Sequence, residues 1–188
     1  MMTVFVDASV CHSTQAAGWG AWAKRDEWRA GRVLGSHFAR TIAHSGEAEL
    51  AAVANALYRL HFDGEMQGVE RVMVQSDSVR ALSLMLTMLG KIKARNHIEG
   101  SPILKMRHPK LTPLEIEALD KLREIQKMLG IDLIVKHVKG HTKGHGRPWV
   151  NRECDRVAKG HMRRRRAALR WKIRFKLAMK EGLAEVGE

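Results

Sequence analysis

Four acidic residues stand at points of the sequence where carboxylates can converge. Asp7 ends a β-branched and aromatic run, and Asp77 follows a second buried run. Glu49 lies early in an amphipathic stretch, and Asp155 lies in the first turns of the predicted last helix. Because strand ends and helix starts are where open α/β sheets build their sites, these acids predict one acidic site.

Clustered carboxylates repel one another, and bound divalent cations offset that repulsion. Hard oxygen ligands favour Mg²⁺ or Mn²⁺ over zinc. Two such ions held about 4 Å apart activate water and stabilise the leaving oxygen of a phosphodiester. The four acids therefore predict two-metal phosphodiester hydrolysis without a protein nucleophile.

Each acid also has an ordinary structural interpretation. Asp7 can end a strand in a turn, and Asp77 can cap the helix that follows it. Glu49 can be a solvated helix residue, and Asp155 can complement a helix dipole. Glu47 flanks the apolar face of the same predicted helix as Glu49, so helical geometry leaves the choice between them open.

Composition predicts a compact protein whose partner is a polyanion. A chain of 188 residues with 45% hydrophobic residues can bury a core, and its net charge of +13 favours nucleic acid as the partner. No stretch approaches the roughly 18 apolar residues of a membrane span. The opening residues lack the basic segment of a signal peptide, and two cysteines suit a reducing compartment. We therefore expect a soluble, cytoplasmic protein with no membrane association and no obligate protein partner.

Hydrophobic periodicity predicts an α/β fold. The predicted strands are Thr3 to Val6, Gly18 to Ala23, roughly Arg32 to Ala39, Arg71 to Gln75 and Ile131 to Val138. The predicted helices are Glu47 to Leu60, Val79 to Leu89, Pro113 to about Leu129 and one that starts at about Val150. This order predicts a mixed five-stranded sheet, with three antiparallel strands and then parallel strands, flanked by helices.

Two further segments are basic. Residues 91–110 read as an exposed excursion rich in Lys and Arg, and residues 161–180 combine cations with interleaved apolar side chains. The second segment can continue the last helix along a phosphate backbone, form a membrane-surface or partner helix, or be a solvated, frayed end. We accordingly divide the chain into a catalytic domain over residues 1–160 and a basic helical tail over residues 161–188.

Four blocks of the chain resemble type 1 ribonuclease H. They are FVDASVCHSTQAAGWGA, EAELAAVANAL, QSDSVRAL and KHVKGHTKGHGRPWVNRECDRVAK. The resemblance implies the ribonuclease H-like fold and an endonuclease that hydrolyses the RNA strand of RNA–DNA hybrids, leaving 5′-phosphate and 3′-hydroxyl ends. It implies that two Mg²⁺ or Mn²⁺ ions are held by the acids Asp7, Glu49, Asp77 and Asp155. It favours Glu49 over Glu47.

The same resemblance assigns roles outside the acids. It places His141 on a loop beside the metals, where it assists proton transfer or product release. It also implies contacts to nucleic acid by Ser9, Ser13, Ser45, Lys91, Lys93, Arg95 and Asn151, to which we add Arg163, Arg164, Arg165, Arg166 and Arg170 of the basic tail. The chain departs from the family at Ala8, which replaces a glycine, and at residues 44–46, which replace an Asn-rich stretch.

Three interpretations compete on the sequence alone. The first is the hybrid-cleaving endonuclease, and the second is a structure-specific DNA nuclease of the junction-resolvase kind on the same fold. The third is a non-catalytic nucleic-acid-binding module whose basic tail is its functional element. A zinc site is a weaker interpretation, since Cys11, His12, His141, His145 and Cys154 match no familiar zinc spacing.

Overall fold

The computed structural model describes most of the chain. The residues described are 1–94, 97–98, 101–103, 109–138 and 149–184. The strands are β1 (Met2–Cys11), β2 (Ala16–Arg25), β3 (Arg32–His37), β4 (Arg71–Ser76), β5 (Lys93–Ala94), β6 (His97–Ile98), β7 (Ser101–Pro102) and β8 (Asp132–His137). The helices are α1 (Ser45–Phe62), α2 (Val79–Met88), α3 (Pro113–Leu129) and α4 (Trp149–Ala184).

The central sheet is mixed, as the order of predicted elements indicated. Its strand order is β3-β2-β1-β4-β8-β5. The pairs β1–β2 and β2–β3 are antiparallel, whereas β1–β4, β4–β8 and β8–β5 are parallel. The predicted count of five strands is wrong by one. The sixth strand, β5, has only two residues, which is too short for a period-two pattern to be visible in the sequence.

Side-chain alternation divides the sheet into two covered faces. Met2, Val4 and Val6 of β1 are buried in the core on the face that α1 covers. Phe5 and Asp7 therefore point to the other face, because successive side chains of a strand alternate. That second face is covered by α4, which packs across β1, β2 and β3.

Glycines on the second face allow α4 to approach the sheet closely. A Cβ atom at Gly18 would lie 2.5 Å from both the Ala158 carbonyl oxygen and the Met162 backbone nitrogen. A Cβ at Gly20 would overlap the Cys154 carbonyl oxygen. The backbone of α4 thus contacts β2 directly. This contact fixes the distance between the helix and the sheet, and so the position of each side chain on the sheet-facing side of the helix.

Helix α4 continues without a break past the predicted domain boundary. Residue 160 lies inside the helix, and Arg165 still contacts the body of the protein, where its Nη2 donates to the Ala39 carbonyl oxygen at 2.5 Å. The division at residues 160 and 161 therefore coincides with no end of an element and stays a prediction. No helix in the described ranges is both long enough and apolar enough to cross a bilayer.

The helix predicted from Pro113 to about Leu129 is confirmed as α3. The Thr112 hydroxyl accepts a hydrogen bond from the Glu115 backbone N–H, and the Glu115 carboxylate accepts one from the Thr112 backbone N–H, so the two residues form a capping box at the start of the helix. Glu115 also forms a two-pronged ion pair with Arg80 of α2, at 2.6 and 2.9 Å. Because Glu115 is buried, this pair ties α3 to the helix that follows Asp77.

A substitution at Gly18 tests the close approach of α4. Gly18→Ala should lower the free energy of unfolding by about 1–3 kcal/mol, since the added methyl group meets helix backbone that cannot move aside. Chemical denaturation measures the change. Gly160→Ala is the matched control, because its Cβ would meet only the Arg164 side chain at 3.9 Å. The control should stabilise the helix by up to about 1 kcal/mol, and an equal loss in both variants would contradict the packing described here.

Candidate active site

Three of the predicted acids meet at one edge of the sheet. One carboxylate oxygen from each of Asp7, Glu49 and Asp77 lies within 4.8 Å of the others. The parallel register of β1 and β4 explains two of them: Phe5 pairs with Gln75, so the residues two positions further on, Asp7 and Asp77, lie side by side. Glu49 reaches them from the second turn of α1.

Glu49 is the most constrained member of this cluster. Its Oε1 accepts a hydrogen bond from the Ala8 backbone N–H at 3.2 Å, whereas its Oε2 is buried and has no hydrogen-bond partner. Burial raises the pKa of Glu49 well above its usual value, and the negative charges of Asp7 and Asp77 raise that pKa further. An ionised Glu49 therefore requires positive charge beside it.

The cluster fits a hard divalent cation. Three carboxylates in mutual reach supply the oxygen donors that Mg²⁺ and Mn²⁺ prefer, and the unpartnered Oε2 of Glu49 is a buried acceptor that a cation would satisfy. In the described part of the chain no second group of three metal-binding side chains is present, and Cys11, His12 and Cys154 form no zinc cluster. His141 and His145 lie outside the described residues.

Glu47 has a different task, although it is only two positions from Glu49. Its Oε1 accepts from the backbone N–H groups of Ala43 at 3.0 Å and His44 at 3.1 Å. With His44 it completes the capping box of α1. The step of two residues turns the side chain by about 200° around the helix, so Glu47 caps while Glu49 faces the two aspartates.

Asp155 does not belong to the three-acid cluster. Its Oδ2 accepts from Lys159 Nζ at 2.8 Å, one helical turn further along α4. The adjacent Cys154 nevertheless lies against the strand that carries Asp7: its carbonyl oxygen covers Gly20, the partner of Asp7 in the β1–β2 register. The fold thus places the backbone next to Asp155 against the strand pair that carries Asp7. The Asp155 carboxylate itself is paired with Lys159.

An aromatic chain that sequence reasoning missed holds the first turn of α4. Trp149 packs edge-on against Trp22, and Trp22 packs edge-on against Phe5, both with ring centroids 5.8 Å apart. Cys154 Sγ adds a 3.7 Å contact to the Phe5 carbonyl oxygen. The sequence holds only part of this signal: Trp22 lies in a predicted strand, but nothing near Trp149 in the sequence identifies Trp22 as its partner.

The predicted nucleic-acid contacts fall in several places. Ser13 and Ser45 are exposed, at the β1–β2 turn and at the start of α1, whereas Ser9 is half-buried and Asn151 is buried. Lys91 is exposed. Lys93 lies at the opposite strand end from Asp77, where its Nζ is 3.5 Å from Asp132 at the start of β8. Arg95, like His141, lies outside the described residues.

The tail arginines divide into two groups. Arg165 and Arg166 are half-buried against the body of the protein, whereas Arg163, Arg164 and Arg170 are exposed. The first group stabilises the position of α4, since Arg165 binds a backbone carbonyl there. Only the second group presents its charge fully to solvent.

Several solved structures have the same fold. RNase H1 of Halobacterium salinarum superposes with a TM-score of 0.55 at 16% identity, over 86% of this chain and 96% of that one. LC11-RNase H1, solved in complex with an RNA/DNA hybrid, gives 0.58 at 15% identity, over 87% and 98%. The protease-reverse transcriptase of prototype foamy virus gives 0.59 at 18% identity, over 86% of this chain and 20% of that one.

Sequence comparison supplies the family. No curated protein shows significant similarity to the chain. The family model described as RNase H, in contrast, matches residues 1–163, which is well over half of the chain and contains all four predicted acids. The chain therefore belongs to the RNase H family.

Proposed function

We propose that this member of the RNase H family hydrolyses the RNA strand of RNA–DNA hybrids with two Mg²⁺ or Mn²⁺ ions. The observation that carries the proposal is the convergence of Asp7, Glu49 and Asp77 around a buried, unpartnered carboxylate oxygen. A binding module gains nothing from such a cluster, because negative charge repels phosphates. The similar fold of LC11-RNase H1, which was solved with a hybrid, supports the choice of substrate.

The described residues would share the work as follows. Asp7, Glu49 and Asp77 hold the cations, which when bound activate water and stabilise the leaving oxygen. The Ala8 N–H orients the Glu49 carboxylate by donating to its Oε1. Asp155 is proposed as the fourth ligand, and to serve as one its carboxylate must exchange Lys159 for a cation. His141 is proposed to assist proton transfer or product release.

Contacts to the hybrid are proposed at the exposed edge around this cluster. Ser13 and Ser45 lie on neighbouring connections, because the segment between β3 and α1 is bound to the β1–β2 turn through the Ile42 N–H and the Gln15 carbonyl oxygen at 2.8 Å. Hydroxyl groups at these two positions can donate to phosphate oxygens. Ser45 lies in residues 44–46, which stand where the family has an Asn-rich stretch.

The proposal predicts a sharp difference between two glutamates of one helix. Glu49→Gln, Asp7→Asn and Asp77→Asn should each lower hybrid cleavage about a hundredfold or more, because cation charge stabilisation supplies several kcal/mol of the barrier reduction. Glu47→Gln is the matched control and should stay within a few-fold of the unmodified protein. The measurement is cleavage of a labelled hybrid in Mg²⁺ and in Mn²⁺, with EDTA as a blank.

A four-way DNA junction in the same gel distinguishes the rival nuclease. Cleavage of the junction in preference to the hybrid would favour the DNA nuclease. No cleavage of the hybrid with either metal, together with tight hybrid binding, would favour the non-catalytic module.

The raised pKa of Glu49 predicts how metal-free stability depends on pH. Ionising Glu49 in the folded state is unfavourable, so this group does not affect stability below the ordinary glutamate pKa of about 4.5 in the unfolded chain. Above that pH it lowers stability progressively until the pH reaches the raised folded pKa, beyond which the loss is constant. Glu49→Gln should therefore raise the free energy of unfolding in EDTA at neutral pH by about 0.5–2 kcal/mol and lose that advantage at pH 4.

Glu47→Gln again gives the opposite expectation. It weakens the cap of α1 and should lower stability by about 0.5–1 kcal/mol at neutral pH. Urea denaturation between pH 4 and 8 measures both variants. A Glu49→Gln variant that is less stable than the unmodified protein throughout this range would contradict the electrostatic description of the cluster.

A further inference from the structure

The end of α4 extends beyond the part of the chain that the family model matches. The match ends at residue 163, whereas the helix continues to Ala184. From His161 to Lys180 the sequence contains nine Lys or Arg residues and no Asp or Glu. We call residues 170–180 the arm, because docking of the helix against the body ends with Arg165, Arg166 and the half-buried Leu169.

The arm exposes large apolar side chains that the body does not cover. Trp171 is 63% exposed, Ile173 57%, Phe175 52% and Met179 53%. The rings of Trp171 and Phe175 stack on each other, with centroids 5.3 Å apart and planes 16° from parallel. Because both residues are more than half exposed, the stacked pair presents an aromatic surface to solvent that is about one helical turn long.

Cations border this aromatic surface on both sides. At 100° per residue, Lys172 lies on one side of the Trp171–Phe175 stripe and Arg174 on the other. Neither residue forms an ion pair with a side chain that the structure describes, and neither does Lys176. Their charge is therefore available to an external anion.

The pattern of the arm argues against a lipid surface as that anion. A membrane-surface helix separates one apolar face from one charged face. Here apolar and basic residues alternate at every position from Leu169 to Lys176, which places Trp171 and Ile173 about 200° apart on the helix. A second copy of the chain is equally unsuitable, because its arm carries the same positive charge.

Single-stranded nucleic acid fits the combination of stacked rings and unpaired cations. Unpaired nucleotides offer phosphates to cations and free base faces to aromatic rings, whereas a duplex hides its base faces. We propose that the arm binds single-stranded nucleic acid, with phosphates on Lys172, Arg174 and Lys176 and a base stacked on the Trp171–Phe175 surface. A role of the arm during hybrid cleavage rests on the proposed function. In that role the arm would hold unpaired nucleotides that adjoin the hybrid.

The position of the arm suits this task. Asp155 and Trp171 belong to the same unbroken helix and are separated by about 24 Å along its axis. The arm is therefore well separated from the acids that are proposed to act on the scissile phosphate. It can contact a single strand that extends beyond the hybrid duplex, and it leaves the acidic cluster accessible to the substrate.

Fluorescence anisotropy with the full chain tests the proposal. The probes are a labelled DNA strand of about 12 nucleotides and an abasic strand of the same length, both in EDTA so that the metal site plays no part. Trp171→Ala with Phe175→Ala should weaken binding of the normal strand about tenfold, given about 1–3 kcal/mol per stacked base, and leave binding of the abasic strand unchanged. Ile116→Ala with Met128→Ala, on α3, removes exposed apolar side chains elsewhere and should change neither.

The cations are tested separately through the salt dependence. Arg174→Gln with Lys176→Gln should reduce the slope of log K against log salt by about 1.4, or 0.7 for each lost contact. Arg29→Gln with Lys127→Gln removes the same charges from exposed positions elsewhere and should leave the slope unchanged.

Two results would overturn the arm as a single-strand site. One is equal loss of affinity for normal and abasic strands in the aromatic variant. The other is binding of the arm to phosphatidylglycerol vesicles, abolished by the aromatic variant, with no effect of that variant on the DNA strand. Because these measurements need no cleavage, an inactive protein that still binds the strand through Trp171 and Phe175 would refute the proposed function and leave the arm standing.

Discussion

Electrostatic repulsion among Asp7, Glu49 and Asp77 is the constraint around which this protein is organised. Three carboxylates are held within 4.8 Å, and one of them is buried with an oxygen that has no partner. Folding must supply the energy that keeps them together. It does so with ordinary means: the parallel β1–β4 register, the buried apolar face of α1 and the Ala8 N–H that binds Glu49. A site that is unfavourable without cations is in this way prepared to bind them.

Helix α4 connects the region of this site with the proposed nucleic-acid-binding arm. Its first turn is held by the Phe5–Trp22–Trp149 chain, its middle rests on Gly18 and Gly20, and its end carries the arm. The helix therefore joins Asp155 to a set of cations about 24 Å further along its axis. Because the same glycines determine the distance between α4 and the sheet, a substitution at either one should displace both Asp155 and the arm.

Much of the fold was accessible to sequence reasoning because its signals are local. The buried positions Leu50, Val53, Leu57 and Leu60 of α1 follow helical spacing, and the capping box at Thr112 is a contiguous motif. Strand β5 was missed because two residues carry no period. The continuation of α4 into the basic tail was one of the alternatives that the sequence left open, and the change of composition near residue 161 suggested a domain boundary at a point where the backbone helix does not end.

The sequence by itself determined which side chains could do chemistry: the acids, their places at strand ends and helix starts, and the charge of the last helix. Only the tertiary structure decided between Glu47 and Glu49, since a step of two residues directs one to the helix cap and the other to Asp7 and Asp77. It also paired Asp155 with Lys159 and separated docked arginines from exposed ones. These outcomes depend on contacts between elements far apart in the chain, and no local pattern encodes such contacts.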